Sequence, residues 1–207
     1  MGYDSFYCKY VKTALDKLIS LAVLLVFWWV YAIIALLVKL NDPSGPVIFK
    51  QDRLGKDGKV YRMYKFRTMC VGAEHTGSGV YSDDNDERVT KIGRILRKTS
   101  LDELPQLFNI LRGECSLIGF RSPLLYHPWT WEEYTPEQKK MFRVLPGITG
   151  WAQVHGRKTV EWNRRIELNC WYADHVSFLL DLKIFFMTVF KVLTNADNAN
   201  TGETVHK

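Results

Sequence analysis

Leu18-Ile-Ser-Leu-Ala-Val-Leu-Leu-Val-Phe-Trp-Trp-Val-Tyr-Ala-Ile-Ile-Ala-Leu-Leu-Val38 is a run of 21 residues, apolar except for Ser20, with no charge, Gly or Pro. As a helix it would be about 31 Å long, enough to cross a bilayer, so it reads as a membrane segment. The run is longer than the apolar stretch of a cleaved leader, and no small-x-small site follows it. Lys9, Lys12 and Lys17 precede it; Lys39, Lys50, Arg53, Lys56 and Lys59 follow it. Basic flanks are retained in the cytoplasm, so both ends are pulled to the same side, which a helix can satisfy only by re-entering. Against that stands the absence of Pro and Gly, the usual causes of a sharp kink; Trp28-Trp29 would alternatively serve as an interfacial anchor of a spanning helix. Either topology leaves the remaining chain cytoplasmic. The expected organisation is a membrane-anchoring helix over 1–40, a compact mixed α/β cytoplasmic domain over 41–195, and a polar tail over 196–207.

Asn41-Asp-Pro-Ser-Gly-Pro46 is a turn cluster that ends the membrane segment. Beyond it, Val47–Gln51 and Val60–Arg67, separated by Gly55-Lys-Asp-Gly58, predict a β-hairpin. On its second strand Lys65 and Arg67 alternate with Tyr64 and Phe66, giving a basic and an apolar face. Gly72 to Asn85 is a polar, Gly-containing loop, and Asp84-Asn85-Asp86 within it spells a D-x-D. Asp and Asn are also what turns prefer, and no apolar strand flanks this one. Tyr126-His-Pro-Trp-Thr-Trp-Glu-Glu-Tyr134 gathers aromatics that suit either a membrane interface or ordinary packing, and Thr135-Pro-Glu-Gln138 starts a helix. Pro146 to Gly156 is punctuated by Gly, and its backbone N–H groups could cradle an anion, which makes it a candidate nucleotide phosphate or uracil site. From Ser177 to Leu193 the chain is apolar apart from Asp181, Lys183, Thr188 and Lys191, which predicts an amphipathic interfacial helix or a core helix.

Net charge of +6 over 207 residues points to anionic partners: nucleic acid, acidic lipid or a phosphorylated substrate. Cys8, Cys70, Cys115 and Cys170 are too scattered for a zinc site or disulfide framework. The chemistry concentrates at Ser100-Leu-Asp-Glu-Leu-Pro105. Ser100 with Glu103 has the form of a helix capping box, which leaves Asp102 unexplained. Arg88, Lys91, Arg94, Arg97 and Lys98 recur upstream at helical spacing, and Gly119-Phe-Arg-Ser-Pro123 presents Arg121 on a turn. Adjacent acids facing a cluster of bases suggest phosphate chemistry. Asp102 and Glu103 would point about 100° apart on a helix, so they would do different jobs.

Ser100-Leu-Asp-Glu-Leu-Pro-Gln-Leu107 resembles the bacterial sugar transferase family of monotopic phosphoglycosyl transferases. The resemblance includes Asp86-Glu-Arg-Val-Thr-Lys-Ile-Gly93 before it and Pro146-Gly-Ile-Thr-Gly-Trp-Ala-Gln-Val154 with Gly156-Arg157 after it. It implies transfer of a sugar-1-phosphate from a UDP-sugar to polyprenyl (undecaprenyl) phosphate, with release of UMP, at the cytoplasmic face of a bacterial inner membrane. Such an enzyme is a transferase of phosphorus-containing groups that starts glycoconjugate synthesis. Asp102 would be the nucleophile, Asp102 and Glu103 would hold Mg²⁺, and Lys65, Arg97 and Arg121 would contact phosphate. Arg157 and Asp181 would give nucleotide contact or structural support. The resemblance also implies a re-entrant helix bent at a Ser-Pro pair, where this chain has Trp28-Trp29; Phe120, Ser122 and Asn169 are further departures. Membrane lipids are an expected partner and nucleic acid is not. A metal-dependent glycosyltransferase using Asp84 and Asp86, and a membrane-tethered nucleic-acid binder, are the other classes consistent with these residues.

Overall fold

The computed structural model describes residues 2–76, 86–156 and 161–194; Asp84, Arg157 and the tail lie outside them. A π-helical turn at Tyr7–Val11 leads into α1 (Lys12–Val26), and α2 (Trp28–Asn41) follows after one non-helical residue. Among the described residues no single helix is long and apolar enough to cross a membrane. Tyr7–Val26 and Trp28–Asn41 together pass that test by length and composition, and they are bent by 68°. The bend falls at Phe27 (φ −109°, ψ 21°), beside Trp28-Trp29 and without Pro or Gly. Its cause is the docking of the two halves on different partners. The polar residues of α1, Lys12, Asp16 and Ser20, recur every fourth position and are buried, while Leu18, Leu21 and Leu25 face outward. In α2, Ile34 and Val38 pack on Phe66 and Leu96, and the Tyr31 hydroxyl donates to the Leu104 carbonyl at 2.7 Å.

The buried polar stripe of α1 meets α7 (Phe178–Thr194). Asp181 accepts from the Lys12 ammonium at 2.6 Å, the Tyr7 hydroxyl at 2.8 Å and the Tyr172 hydroxyl at 2.6 Å. Asp16 lies 4.0 Å from the same ammonium and accepts from the Ser116 hydroxyl. Buried charges persist when they are paired and hydrogen-bonded, as here. The apolar residues of α7 are turned outward: Phe178, Leu179, Phe185, Phe186, Phe190 and Leu193 are all exposed. With Trp28, Leu36 and Leu40 of α2 exposed as well, three helices present apolar surface of an extent that soluble monomers rarely expose.

The expected hairpin is formed by β1 (Ile48–Leu54) and β2 (Val60–Phe66), antiparallel, with Ile48 opposite Phe66 and Leu54 opposite Val60. The first strand runs three residues further than its apolar pattern suggested. Next come α3 (Lys91–Thr99), a 3₁₀ turn at Leu101–Glu103, and α4 (Gln106–Leu111), which packs on α1 and β2. The capping box expected at Ser100 does not form. Ser100 takes a left-handed conformation (φ 58°) closing α3, and its side chain makes no cap bond to the following turn. A reciprocal box occurs instead before the 3₁₀ helix Gln138–Arg143. There the Thr135 N–H donates to Gln138 Oε1 at 2.9 Å and the Gln138 N–H to Thr135 Oγ1 at 3.3 Å.

A second, parallel pair joins β3 (Ser116–Ile118) to β4 (Gly147–Thr149), followed by α5 (Trp151–Val154) and α6 (Trp162–His175). The glycines here serve a close backbone crossing. The Gly119 N–H donates to the Thr149 carbonyl at 2.9 Å and the Gly147 N–H to the Phe120 carbonyl at 2.9 Å. A Cβ on Gly147 would stand 2.0 Å from the Gly119 nitrogen, and one on Gly150 1.8 Å from the Gly119 oxygen. Within the Pro146–Gly156 stretch the Gly147 N–H is therefore committed to a protein carbonyl and is not offered to an anion. The aromatic cluster resolves as packing: Trp131, Tyr134 and Phe120 each meet the Phe142 ring edge-on, with centroids 5.0–5.2 Å apart.

Candidate active site

Asp102 is set by a change of direction. The left-handed Ser100 stops α3, the 3₁₀ turn re-aims the chain, and Asp102 points inward with 8% exposure. The side chain of Asn109, wholly buried on α4, spans to β2: its Oδ1 accepts from the Tyr64 N–H at 3.1 Å and its Nδ2 donates to the Arg62 carbonyl at 2.8 Å. This clamp fixes Lys65, the next residue of β2, relative to the acids. Lys65 Nζ lies 2.6 Å from Glu103 and 4.0 Å from Asp102, and Arg121 Nη1 is 3.5 Å from Glu103. Arg97 reaches the same region from α3, its Nε donating to Thr68 Oγ1 at 2.9 Å.

Lys65, Arg97, Asp102, Glu103 and Arg121 line one cavity of about 550 Å³. Burial pushes the Asp102 carboxyl above its ordinary value of 3.8; Lys65 pulls the other way, Glu103 adds to the rise, and Arg97 and Arg121 oppose it. Of the basic stripe on α3, only Arg97 joins the cavity, while Lys91, Arg94 and Lys98 are exposed. Asp181 lies elsewhere, as the hub of the α1–α7 contact. Asp86 pairs with Arg88 at 2.7 Å and does not line the cavity. Arg157 is outside the described residues.

A profile of the family described as bacterial sugar transferase matches residues 7–195. The chain belongs to the bacterial sugar transferase family. Among curated relatives, the "Uncharacterized sugar transferase EpsL" of Bacillus subtilis (strain 168) is 47% identical over 153 residues, 73% of this chain and 72% of the relative. The "UDP-glucose:undecaprenyl-phosphate glucose-1-phosphate transferase" of Escherichia coli (strain K12) is 41% identical over 192 residues, 90% of this chain but 41% of the relative. The "Exopolysaccharide production protein PSS" of Rhizobium leguminosarum bv. phaseoli is 38% identical over 192 residues, 89% of this chain and 96% of the relative. This bacterial sugar transferase therefore spans less than half of the Escherichia coli protein and nearly all of the Rhizobium one.

The cavity also holds residues that the motifs of this sugar transferase did not single out. Arg53 stands on the same strand face as Gln51, and its guanidinium bonds the Gln51 side chain and the Ser122 carbonyl, the latter at 3.0 Å. Its i, i+2 spacing from Gln51 was the available signal. Gln153, which falls within the Pro146–Val154 motif but has no role assigned by it, lines the cavity from α5, and Trp162 and Arg165 line it from α6; no sequence pattern connects the latter two to Asp102. As a metal site, Asp102 and Glu103 supply adjacent hard oxygen donors, the one or two carboxylates that Mg²⁺ accepts when phosphates and water complete its octahedron. Among the described residues no group of three or more His, Cys, Asp or Glu could hold a metal unaided. The residues fit an ion shared with a phosphorylated substrate.

Proposed function

We propose that this protein moves a sugar-1-phosphate from a UDP-sugar to polyprenyl phosphate through a covalent intermediate on Asp102. The observation carrying the proposal is a buried carboxylate in a cavity it shares with Lys65, Arg97 and Arg121. An Asp102 oxygen bonds to the phosphorus nearer the sugar, the bond from that phosphorus to the bridging oxygen breaks, and UMP departs with the bridging oxygen. An oxygen of polyprenyl phosphate then attacks the acyl phosphate, and the Asp102 carboxylate leaves. Both nucleophiles are already anions, so neither half needs a general base. Lys65, Arg97 and Arg121 orient the diphosphate and offset its charge, and Glu103 holds Lys65 and Arg121 in place. Mg²⁺ bound by Asp102 and Glu103 would supply further neutralisation of the diphosphate oxygens.

The bent pair α1–α2 enters and leaves the inner leaflet from the cytoplasmic side, and the outward apolar face of α7 lies along it. That places the cavity where a water-soluble nucleotide and a lipid phosphate can both reach it. The names of the Escherichia coli and Rhizobium relatives support the donor class, the lipid acceptor and a role in exopolysaccharide synthesis. In the test, purified protein receives UDP-sugar alone, drawn from a panel of sugars. A burst of about one equivalent of UMP per site is expected, with a sugar-phosphate mass gained on the peptide containing Asp102. Asp102→Asn should abolish both signals. UMP release strictly dependent on polyprenyl phosphate, with no trapped intermediate, would favour direct transfer.

A further inference from the structure

The cavity has a second end, built from α5 and α6, whose polar groups the phosphate chemistry does not use. Gln153 is 9% exposed, and neither its Nε2 nor its Oε1 has a hydrogen-bond partner among the described residues, although the residue lines the cavity. The indole Nε1 of Trp162, also a lining residue, is buried and equally without a partner among them. Arg165 stacks its guanidinium over the Trp162 ring at 4.8 Å, and His127 meets that ring edge-on at 5.4 Å. A buried amide left unsatisfied lowers stability, and replacing it by an apolar group of similar shape is neutral or favourable, so its presence points to a ligand.

The ligand can be read from what these orphans offer: one acceptor and N–H donors within a cavity that holds the phosphate-binding cations elsewhere on its wall. A pyrimidine base has the complementary edge, in which the uracil N3–H donates to an amide oxygen while a flanking carbonyl accepts from an amide N–H. Pairing through both amide atoms also orients the base, and with it the diphosphate. Resting on the UDP-sugar reading above, we infer that Gln153, supported by the Trp162 indole N–H, reads the hydrogen-bonding edge of the uracil base. This assigns the α5–α6 end of the cavity to the nucleotide and leaves the sugar to another wall.

The test is calorimetric binding of UMP and of N3-methyl-UMP to the purified full chain, in wild type and in Gln153→Leu. Wild type should bind UMP about ten-fold or more tighter than the N3-methyl compound, because a buried site built to pair an N–H rejects the analogue lacking it. Gln153→Leu should bind UMP about ten-fold or more weakly, with the preference between the two ligands collapsing towards unity. Its melting temperature should equal or exceed that of wild type. Trp162→Phe, which deletes the indole N–H and keeps a ring, should show a smaller loss of the same kind. Unchanged UMP affinity in Gln153→Leu overturns the inference, as does an altered sugar preference with UMP binding intact. Equal affinities of wild type for the two nucleotides overturn it without any variant. Failure of wild type to bind UMP at all would strike the UDP-sugar reading instead.

Discussion

Asp102 shows how one side chain's surroundings set its behaviour. Its carboxyl is held above the ordinary 3.8 by burial, yet the proposed attack on phosphorus requires the ionised form. Formation of the phosphosugar enzyme should therefore fall as pH drops through the native-state value, with a midpoint above 3.8, read by single-turnover UMP release across a pH series. The same shift carries a stability consequence of opposite sense. A raised native value means that the folded state binds more protons than the unfolded one within that window, so stability declines as pH rises through it. Asp102→Asn should accordingly melt at or above wild type at neutral pH, with the difference vanishing on acidification. Arg121 stands 3.5 Å from Glu103 and reaches the cavity from a separate turn. Arg121→Ala should lower kcat/KM by roughly one to three orders of magnitude, the scale of a charge-assisted contact to a reacting phosphoryl group. Arg121→Lys should recover part of it, since a point charge lacks the bidentate fork.

Among the elements, two joints carry the architecture. At the crossing of β3 and β4, a Cβ on Gly147 would meet the Gly119 nitrogen at 2.0 Å, backbone that has nowhere to move. Gly147→Ala should destabilise by about 3 kcal/mol or more, measured by denaturant unfolding in detergent, because overpacking of this kind shifts two strands. The other joint ties α1 to α7 through Lys12 and Asp181, 2.6 Å apart and both buried. Lys12→Met or Asp181→Asn alone should cost about 3–5 kcal/mol by stranding the partner charge. The double variant should cost less than the sum, and a strictly additive result would show that the two residues act independently.

For the whole molecule, the bend at Phe27 turns a run long enough to span a bilayer into two docked halves. If the helix re-enters, a lone reporter cysteine at position 3, with the native cysteines removed, will be protected from an impermeant thiol reagent in intact cells; labelling from outside would mean a span. Replacing Trp28-Trp29 by Ser-Pro should leave folding and activity nearly unchanged. Position 29 lies in the first turn of α2, where a missing N–H costs little.

Local features were legible in the sequence because their determinants lie within a few residues of one another. Apolar length marked a segment long enough to cross a bilayer, turn residues around alternating strands marked the hairpin, and the juxtaposition of Asp102 with bases marked a cavity they share. Lys65, Arg97, Glu103 and Arg121 do share that cavity with Asp102. Tertiary structure decided whatever depends on partners distant in the chain. Ser100 looked like a cap by spacing, but the reversal between α3 and the Asp102 turn needed its left-handed backbone. By sequence Asp181 stands between nucleotide contact and structural support; its partner Lys12 is 169 positions away, and only docking shows that it anchors α1. The basic flanks call for a bend near Trp28-Trp29, but with no Pro or Gly to fix it, its place at Phe27, like the unsatisfied amide of Gln153, results from surfaces that meet only once the chain has folded.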